Sequence, residues 1–287
     1  MKVLIAGAAG QLGRALQASA TPGTDIVAPD ESLFDICNAA SVDALMADVR
    51  PDVVINAAAY TAVDRAESEA GIAHAVNVEG AGNLARAARA HAARFVHVST
   101  DFVFDGQSAT PYAPDARPNP LSVYGKTKWQ GEQLVRQECP DALILRTAWV
   151  YAAQGQNFVR TMLRLMRERP ELRVVADQVG TPTHAAGLAR AIWALLAAGA
   201  SDTQHWTDAG VASWYDFAVA IGEEALALGL IDHAVPVVPI ATTDYPTPAR
   251  RPAMSILDKR ACWAIIGPAR HWRAELRLML REMKEFA

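Results

Sequence analysis

The sequence predicts an α/β protein in which helices cover both faces of a parallel sheet. Over the first 150 residues, short aliphatic and β-branched runs alternate with longer stretches of helical spacing, the pattern of successive strand–helix–strand units. The first apolar run ends in glycines that lead directly into a helical stretch, as in doubly wound sheets. Apolar residues make up 51% of the 287 residues, which is enough for a large core.

Each predicted element has a local reason. The strand at 3–6 is a short apolar run, the strand at 52–56 is rich in β-branched residues, and the helix at 76–91 is rich in alanine. Ser41 is a suitable N-cap for a helix over 41–49. The predicted strands are 3–6, 26–28, 52–56, 95–99 and 143–146, and the predicted helices are 11–20, 41–49, 76–91 and 122–138.

Composition and charge exclude several classes of protein. The net charge is −4 and charges of both signs are interspersed, so the chain has no basic field for a nucleic acid or an anionic membrane. Three widely spaced cysteines and the lack of an HExxH motif predict neither a disulfide framework nor a zinc site. The apolar runs at the start of the chain and at 192–200 are too short for a secretion signal or a membrane span. We therefore expect a soluble cytoplasmic protein.

A glycine-rich loop, GAAGQLG, joins the first strand to the first helix. Gly7, Gly10 and Gly13 would let the backbone approach a pyrophosphate, and the following helix N-terminus offers N–H groups and a partial positive charge. The GxxGxxG spacing suits short-chain dehydrogenases, and a glycine-rich turn without a ligand is the alternative. The place of the loop in the first β-α-β unit favours a dinucleotide site in a Rossmann sheet.

Carboxylates and small residues follow the next two strands. Asp30 lies about 20 residues beyond the loop, where a carboxylate accepts hydrogen bonds from the adenosine ribose. Its charge opposes a 2′-phosphate, which taken alone favours NADH; a solvated loop aspartate is the alternative. Asp35 is a weaker candidate for the adenine edge. The small residues of 56–60, NAAAY, fit either a dinucleotide against the backbone or close packing.

After about residue 150 the alternation of strands and helices weakens. We expect a dinucleotide-binding domain over 1–150 and a smaller C-terminal substrate-binding lobe over 151–287, interleaved with late elements of the first domain. The segment 242–252 carries three prolines and two arginines, and we expect an ordered loop there. The predicted elements of this part are helix 157–169, strand 173–175, helix 185–198 and helix 273–285.

Tyr124 and Lys128 have the YxxxK spacing, which brings both side chains to one face of a helix. A lysine ammonium beside the phenol would favour its ionised form and lower its pKa. Such a phenol can give a proton to the alkoxide that forms when a ketone is reduced. The alternative is a surface pair that stabilises the helix by a few tenths of a kcal/mol.

Thr100 follows the fourth strand, at the sheet edge where doubly wound folds bind ligands. Its hydroxyl would hold the substrate oxygen or the Tyr124 phenol, and Ser99 is a weaker candidate for the same role. A turn or helix cap without a ligand is the alternative.

Six blocks occur in order along residues 1 to about 260: GAAGQLG, DVVINAAAYTAVDRAE, STDFVFDG, PLSVYGKTKWQGE, LRTAWVY and YPTPARRP. Together they closely resemble the dTDP-4-dehydrorhamnose reductase family of extended short-chain dehydrogenases/reductases. The resemblance implies reduction of the C4 ketone of dTDP-4-dehydro-β-L-rhamnose, the last step to dTDP-L-rhamnose and part of O-antigen biosynthesis. It implies NADPH or NADH as the cofactor.

The resemblance also assigns roles to individual residues. It implies that Tyr124 donates the proton, that Lys128 assists, and that Thr100 tunes the transfer. It implies substrate contacts at Thr100, Asp101 and Trp149. The cofactor contacts that it implies are Gly10, Gln11, Leu12, Asp30, Asp35, Ala58, Ala59, Tyr60, Tyr124 and Lys128.

Two further candidates for substrate contacts follow from the residue types and their positions. Trp149 ends the fifth predicted strand, where it would form an apolar wall for a hexose ring; a core tryptophan is the alternative. Arg250 and Arg251 could each contact a diphosphate, because a guanidinium matches phosphate oxygens in fork geometry. Of the two, Arg250 is favoured. Surface arginines are the alternative.

The sequence differs from some family members at the residues that bind magnesium. Some members hold this ion between subunits with glutamates, one of them early in the first helix. The stretch 13–16, GRAL, has no carboxylate, and neither does TPTHAAG at 181–187. We therefore expect no metal bridge of this kind, and the chain is either a monomer or a homodimer.

Two rival functions stay open at this point. An extended short-chain epimerase or dehydratase would keep the fold and the YxxxK pair, but dehydratases add an acidic residue beside the catalytic threonine, commonly as Asp-Glu, and here Asp101 precedes Phe102. A non-catalytic regulatory subunit of the same fold would have no need of Thr100, Tyr124 and Lys128 together.

Overall fold

The computed structural model describes residues 1–30, 32 and 34–285. Its strands are β1 (Lys2–Ala6), β2 (Asp25–Val27), β3 (Val53–Asn56), β4 (Arg94–Thr100), β5 (Leu143–Thr147), β6 (Val150–Tyr151), β7 (Leu172–Val175), β8 (Val179–Gly180), β9 (Thr183–His184), β10 (Asp202–His205), β11 (Ala212–Ser213) and β12 (Val237–Ile240). Its α-helices are α1 (Gln11–Ala18), α2 (Ala39–Val49), α3 (Val63–Ala66), α4 (Ala70–His74), α5 (Ala81–Ala90), α6 (Val123–Glu138), α7 (Phe158–Glu168), α8 (Ala185–Ala197), α9 (Trp214–Ala227), α10 (Arg260–Ile266) and α11 (Trp272–Glu285).

Within these described residues, six parallel strands form the main sheet in the order β10-β5-β4-β3-β1-β2. Because all of them run in one direction, their carboxyl ends meet at the same edge. The register pairs Thr100 at the end of β4 with Thr147 at the end of β5. The predicted doubly wound parallel sheet is confirmed.

Helices bury both faces of this sheet. Val3 and Ile5 of β1 pack with α1 and α8 on one face, whereas Leu4 and Ala6 pack with α2 and α5 on the other. Successive strand residues point to opposite faces, so a strand covered on both sides has apolar residues on both faces. This requirement explains the continuous apolar runs from which the strands were predicted.

The C-terminal part has its own core, formed by α7, α9, α11 and β7. β7 pairs in parallel with β12 to make a small separate sheet. Two late elements instead join the first domain, because α8 packs against its core and β10 extends the main sheet beside β5. Residues 286–287 of the predicted lobe lie outside the described part of the chain.

The predicted helix at 76–91 divides into a π-helical turn, Ala75–Gly80, and α5. Asn77 lies in this turn, and its side chain accepts a hydrogen bond from the Tyr60 N–H at 2.9 Å and donates to Thr127 Oγ1 at 3.1 Å. π-turns inside helices often mark functional sites. This one joins the NAAAY segment to α6. No helix in the described ranges is long and apolar enough to cross a membrane.

Candidate active site

The carboxyl ends of the central strands open into a cavity of about 640 Å³, a usual size for a small-molecule site. The structure brings eleven of the predicted site residues to the lining of this cavity. They are Gly7, Gly10, Gln11, Leu12, Ala58, Ala59, Thr100, Asp101, Tyr124, Lys128 and Trp149.

The glycine loop forms part of the lining through its backbone. Gly7 has φ +76°, and a Cβ built on it would lie 2.6 Å from the Ala58 nitrogen, so a side chain would fill the space and displace the neighbouring strand end. Gly10 begins α1 without a side-chain cap, which leaves first-turn N–H groups for an anion. Gly13 lies beneath the loop against the Gly7 carbonyl and is outside the lining. The loop therefore fits a dinucleotide phosphate.

Besides Gly13, three predicted cofactor residues lie outside the cavity lining: Asp30, Asp35 and Tyr60. The Asp30 carboxylate accepts hydrogen bonds from Ser32 Oγ at 2.7 Å and from the Ser32 N–H at 2.9 Å, and these bonds lower the pKa of Asp30. Asp35 accepts a bond from the Cys37 N–H at 2.8 Å. The Tyr60 hydroxyl donates to Glu69.

The start of α6 carries Tyr124 to the cavity. Ser122 caps the helix, since its Oγ accepts a hydrogen bond from the Gly125 N–H at 3.2 Å. A Cβ on Gly125 would lie 2.2 Å from the Phe102 carbonyl oxygen, so glycine is required for this close approach. The rings of Phe102 and Tyr124 meet edge to face with centroids 5.5 Å apart. The helix start is thereby held against the turn that follows β4.

Burial governs the protonation of the Tyr124–Lys128 pair. Burial raises the pKa of Tyr124 to about 12, although a hydrogen bond with Thr100 opposes the rise. Lys128 is 1% exposed and its Nζ donates to the Val98 carbonyl oxygen at 2.7 Å. Burial lowers the pKa of Lys128 to about 8, while Glu132 opposes this change. The expected lowering of the phenol pKa by Lys128 is wrong for this structure, because burial raises the pKa of Tyr124 and the Thr100 hydrogen bond, rather than Lys128, opposes the rise.

Thr100 and Asp101 form a hydrogen-bonded pair beside Tyr124. Thr100 Oγ1 donates to Asp101 Oδ1 at 3.0 Å and accepts from the Phe102 N–H at 3.2 Å. Asp101 is 1% exposed, and burial raises its pKa to about 6. As the acceptor of this hydrogen bond, Asp101 Oδ1 fixes the direction of the Thr100 hydroxyl proton.

Two tryptophans form a flat wall of the cavity. Trp149 stacks on Trp214 with ring centroids 3.5 Å apart and planes 8° from parallel. Phe158 packs on Trp214 from the lobe, with centroids 4.6 Å apart. Sequence reasoning missed Trp214 because α9 was not predicted. The available signal was the Ser-x-x-Asp spacing of Ser213 and Asp216, which forms a capping box in the structure.

The two arginines of the proline-rich loop have different surroundings. Arg250 is exposed and lies outside the cavity lining, whereas Arg251 is part of it. Arg251 Nη1 and Nη2 donate to the two Asp64 carboxylate oxygens at 3.0 and 2.7 Å. This fork lowers the pKa of Asp64. It also ties the loop to α3.

Comparison with known proteins identifies the family. A family model described as RmlD substrate binding domain matches residues 1–285. The chain belongs to this family. It is 43% identical to the dTDP-4-dehydrorhamnose reductase of Burkholderia thailandensis, with 99% of each chain covered. The family predicted from the six sequence blocks is confirmed.

Solved structures of family members have the same fold. The dTDP-4-dehydrorhamnose reductase of Clostridium acetobutylicum superposes with a TM-score of 0.93 at 39% identity, over 99% of this chain and 100% of that one. The Bacillus anthracis enzyme, solved in complex with NADP, superposes with a TM-score of 0.92 at 37% identity, over 98% and 99% of the two chains.

The residues do not fit the magnesium site that the resemblance associates with some family members. In the first turn of α1, the Arg14 guanidinium donates to the Ala9 carbonyl oxygen at 2.9 Å and to Gln154 Oε1 at 2.7 Å. A cation at this position repels a second one. Across the described ranges, no group of three or more His, Cys, Asp or Glu side chains is arranged to hold a metal.

Proposed function

We propose that this protein reduces the C4 ketone of dTDP-4-dehydrorhamnose to give dTDP-rhamnose, with NADPH or NADH as the reductant. One observation carries the proposal: Tyr124, Lys128 and Thr100 share a cavity with the glycine loop. The names of the similar proteins support the substrate, and the NADP complex of the Bacillus anthracis enzyme supports the cofactor. The separate positions of the three cysteines support the predicted cytoplasmic location.

The glycine loop and the NAAAY segment would hold the cofactor. The loop N–H groups at the start of α1 would bind the cofactor phosphates. Ala58 and Ala59 leave room for the dinucleotide because their side chains are small, and Lys128 would hold the nicotinamide ribose. Asp30, Asp35 and Tyr60 are further contacts in this proposal. When bound, the reduced nicotinamide supplies the hydride that reduces the C4 carbonyl carbon.

Tyr124 would then give its phenolic proton to the developing C4 alkoxide. The raised pKa keeps the phenol protonated at neutral pH, so the proton is present when it is needed. Thr100 donates to Asp101, which leaves its oxygen free to accept a hydrogen bond from Tyr124 or from the substrate. The ammonium of Lys128 stabilises the tyrosinate that remains.

We assign substrate recognition to residues 151–287 together with the end of β5. The stacked indoles of Trp149 and Trp214 offer an apolar face to the deoxysugar. Arg251, rather than Arg250, is the arginine that meets the diphosphate, because it lines the cavity and its guanidinium is already oriented by Asp64.

The test measures oxidation of NADPH and of NADH with dTDP-4-dehydrorhamnose. We expect net consumption of the reductant by the unaltered protein, and a fall of about a hundredfold or more in kcat for Tyr124→Phe with unchanged cofactor affinity. Tyr112→Phe is the control, because Tyr112 hydrogen-bonds Asp105 outside the cavity lining. An epimerase would return its hydride and give no net consumption. Near-normal turnover of Tyr124→Phe would contradict the role of the phenol.

A further inference from the structure

A buried ion pair lies beside the proposed catalytic residues. Glu132 and Arg146 are 0% and 1% exposed. Arg146 Nε and Nη2 donate to the two Glu132 carboxylate oxygens at 2.9 and 2.7 Å, and Ser99 Oγ donates to the same carboxylate at 2.5 Å. Burying two charges gains little stability over apolar packing. The pair therefore points to a role other than core stability.

The Arg146 guanidinium has contacts besides those with Glu132. Its Nη1 donates to the Pro114 carbonyl oxygen at 3.1 Å and lies 3.3 Å from His205 Nε2. The aromatic rings of Phe104 and Trp129 lie 5.1 and 6.0 Å from its central carbon. A guanidinium with this many contacts has one available position, so it orients the Glu132 carboxylate rigidly.

The three hydrogen-bonded side chains come from different elements, and each is adjacent in the chain or one helical turn away from a residue that lines the cavity. Glu132 is one helical turn beyond Lys128 on α6, so the two share a helix face. Ser99 directly precedes Thr100 on β4. Arg146 directly precedes Thr147 on β5, the residue that pairs with Thr100 in the sheet. The ion pair thus joins the helix that carries Tyr124 and Lys128 to the two strands that form the floor of the site.

We infer that Glu132 is a positioning residue for the reduction: clamped by Arg146 and Ser99, it sets α6 against β4 and so aligns Tyr124 and Lys128 with Thr100. The inference rests on the proposed catalytic roles of Tyr124 and Lys128. A displacement of about 1 Å between reacting groups costs up to a hundredfold in rate.

The charge of Glu132 also acts on Lys128. Glu132 on α6 raises the pKa of Lys128. His97 on β4 is neutral, because burial and the nearby Lys128 charge hold its pKa well below the usual range. Arg146 on β5 has its charge matched by Glu132. Neutralising Glu132 would remove one favourable charge and unmask Arg146, and both changes lower the pKa of Lys128.

Glu132→Gln tests this role by steady-state kinetics over a range of pH. We expect kcat to fall about tenfold or more, while the dissociation constant for NADPH stays within a few-fold of normal. The alkaline limb, where Lys128 loses its proton, should move to lower pH by about one pH unit. The proposed function is tested separately, by turnover of the unaltered protein and by its loss in Tyr124→Phe. A failure of the proposed function is therefore distinguishable from a failure of the positioning role of Glu132.

Glu224→Gln is the matched control. Glu224 is 4% exposed and accepts two hydrogen bonds from Arg277, both at 2.7 Å, but it lies in the lobe and outside the cavity lining. We expect a smaller fall in Tm, because Arg273 and Arg277 are about half exposed and can be hydrated when unpaired, and no movement of the alkaline limb. If Glu132→Gln lowers only Tm, or if both variants move the limb equally, the positioning role is overturned.

Glu132→Asp keeps the charge but shortens the side chain. We expect a reduced kcat with the alkaline limb at its normal pH, because geometry is changed and charge is retained. This variant also tests the inference if Glu132→Gln does not fold. An unaltered kcat in Glu132→Asp would contradict a role in alignment.

Discussion

The glycine loop and the tryptophan wall line the same cavity but are built differently. Gly7 has φ +76° and Trp149 has φ +47°. Glycine adopts this left-handed region without a steric penalty, whereas an L-residue with a side chain is destabilised there by roughly 1–2 kcal/mol. The loop can therefore form from residues adjacent in the chain. The wall needs distant residues to hold Trp149 in place.

Those distant residues are visible in the structure. The Trp149 indole is stacked on Trp214 of α9, and a Cβ on Gly180 would lie 2.8 Å from it. An aromatic pair contributes roughly 0.5–1.5 kcal/mol beyond its burial, which is comparable with the backbone penalty. The proposed cofactor side of the cavity therefore depends on local backbone freedom, and the proposed substrate side depends on long-range packing.

The largest expected effect concerns the loop. Gly7→Ala should raise the dissociation constant for NADPH about a hundredfold or more, because the new Cβ would meet the Ala58 backbone at 2.6 Å. Gly23→Ala is the control: Gly23 has φ +82° with nothing within 4 Å of a built Cβ. Both substitutions place a side chain at a left-handed glycine, so they share the backbone strain. If calorimetry gives the same dissociation constant for NADPH in both variants, the close approach of Gly7 to Ala58 is not the cause of the weaker binding.

An intermediate effect concerns the wall. Trp214→Leu should raise KM for dTDP-4-dehydrorhamnose about tenfold, equivalent to about 1.4 kcal/mol, because Trp149 loses its stacking partner. The affinity for NADPH should not change. Trp263→Leu removes a partly buried tryptophan of α10 outside the cavity lining and should leave KM unchanged. A rise in KM shared by both variants would mean a general loss of packing.

The smallest expected effect separates the two arginines. Arg251→Lys should raise KM a few-fold, since an ammonium cannot make both hydrogen bonds to Asp64 or meet a diphosphate as a fork. Arg250→Lys should behave like the unaltered protein, because Arg250 is exposed and outside the lining. If KM rises in Arg250→Lys and not in Arg251→Lys, Arg250 is the arginine that contacts the diphosphate.

Most strands of the main sheet were predictable, and one was not. β1, β3 and β5 are mostly apolar, and β4 has apolar residues at Phe95, Val96 and Val98, because both faces of the sheet are covered. That pattern is visible in the sequence. β10 reads DTQH and carries no such pattern. Its hydrogen bonds to β5 are what make it a strand.

Some residues of the candidate site were likewise predictable from the sequence, and others were not. Tyr124 and Lys128 were found from a four-residue spacing, which depends only on helix geometry. Trp214, Arg251 and Asp64 come from separate parts of the chain, and no spacing connects them. The pKa of Tyr124 was also misjudged, because the burial that raises it comes from surrounding elements rather than from its own helix.

The sequence by itself determined the doubly wound class, the glycine loop, the YxxxK pair and the family, because each depends on residues close together or on blocks in a fixed order. The tertiary structure decided which arginine lines the cavity, how Trp149 is held, and how the Glu132–Arg146 pair joins α6 to the sheet. The physical reason is the range of the interactions. Backbone conformation and helix spacing are local, whereas burial, stacking and ion pairing depend on which distant residues the fold brings together.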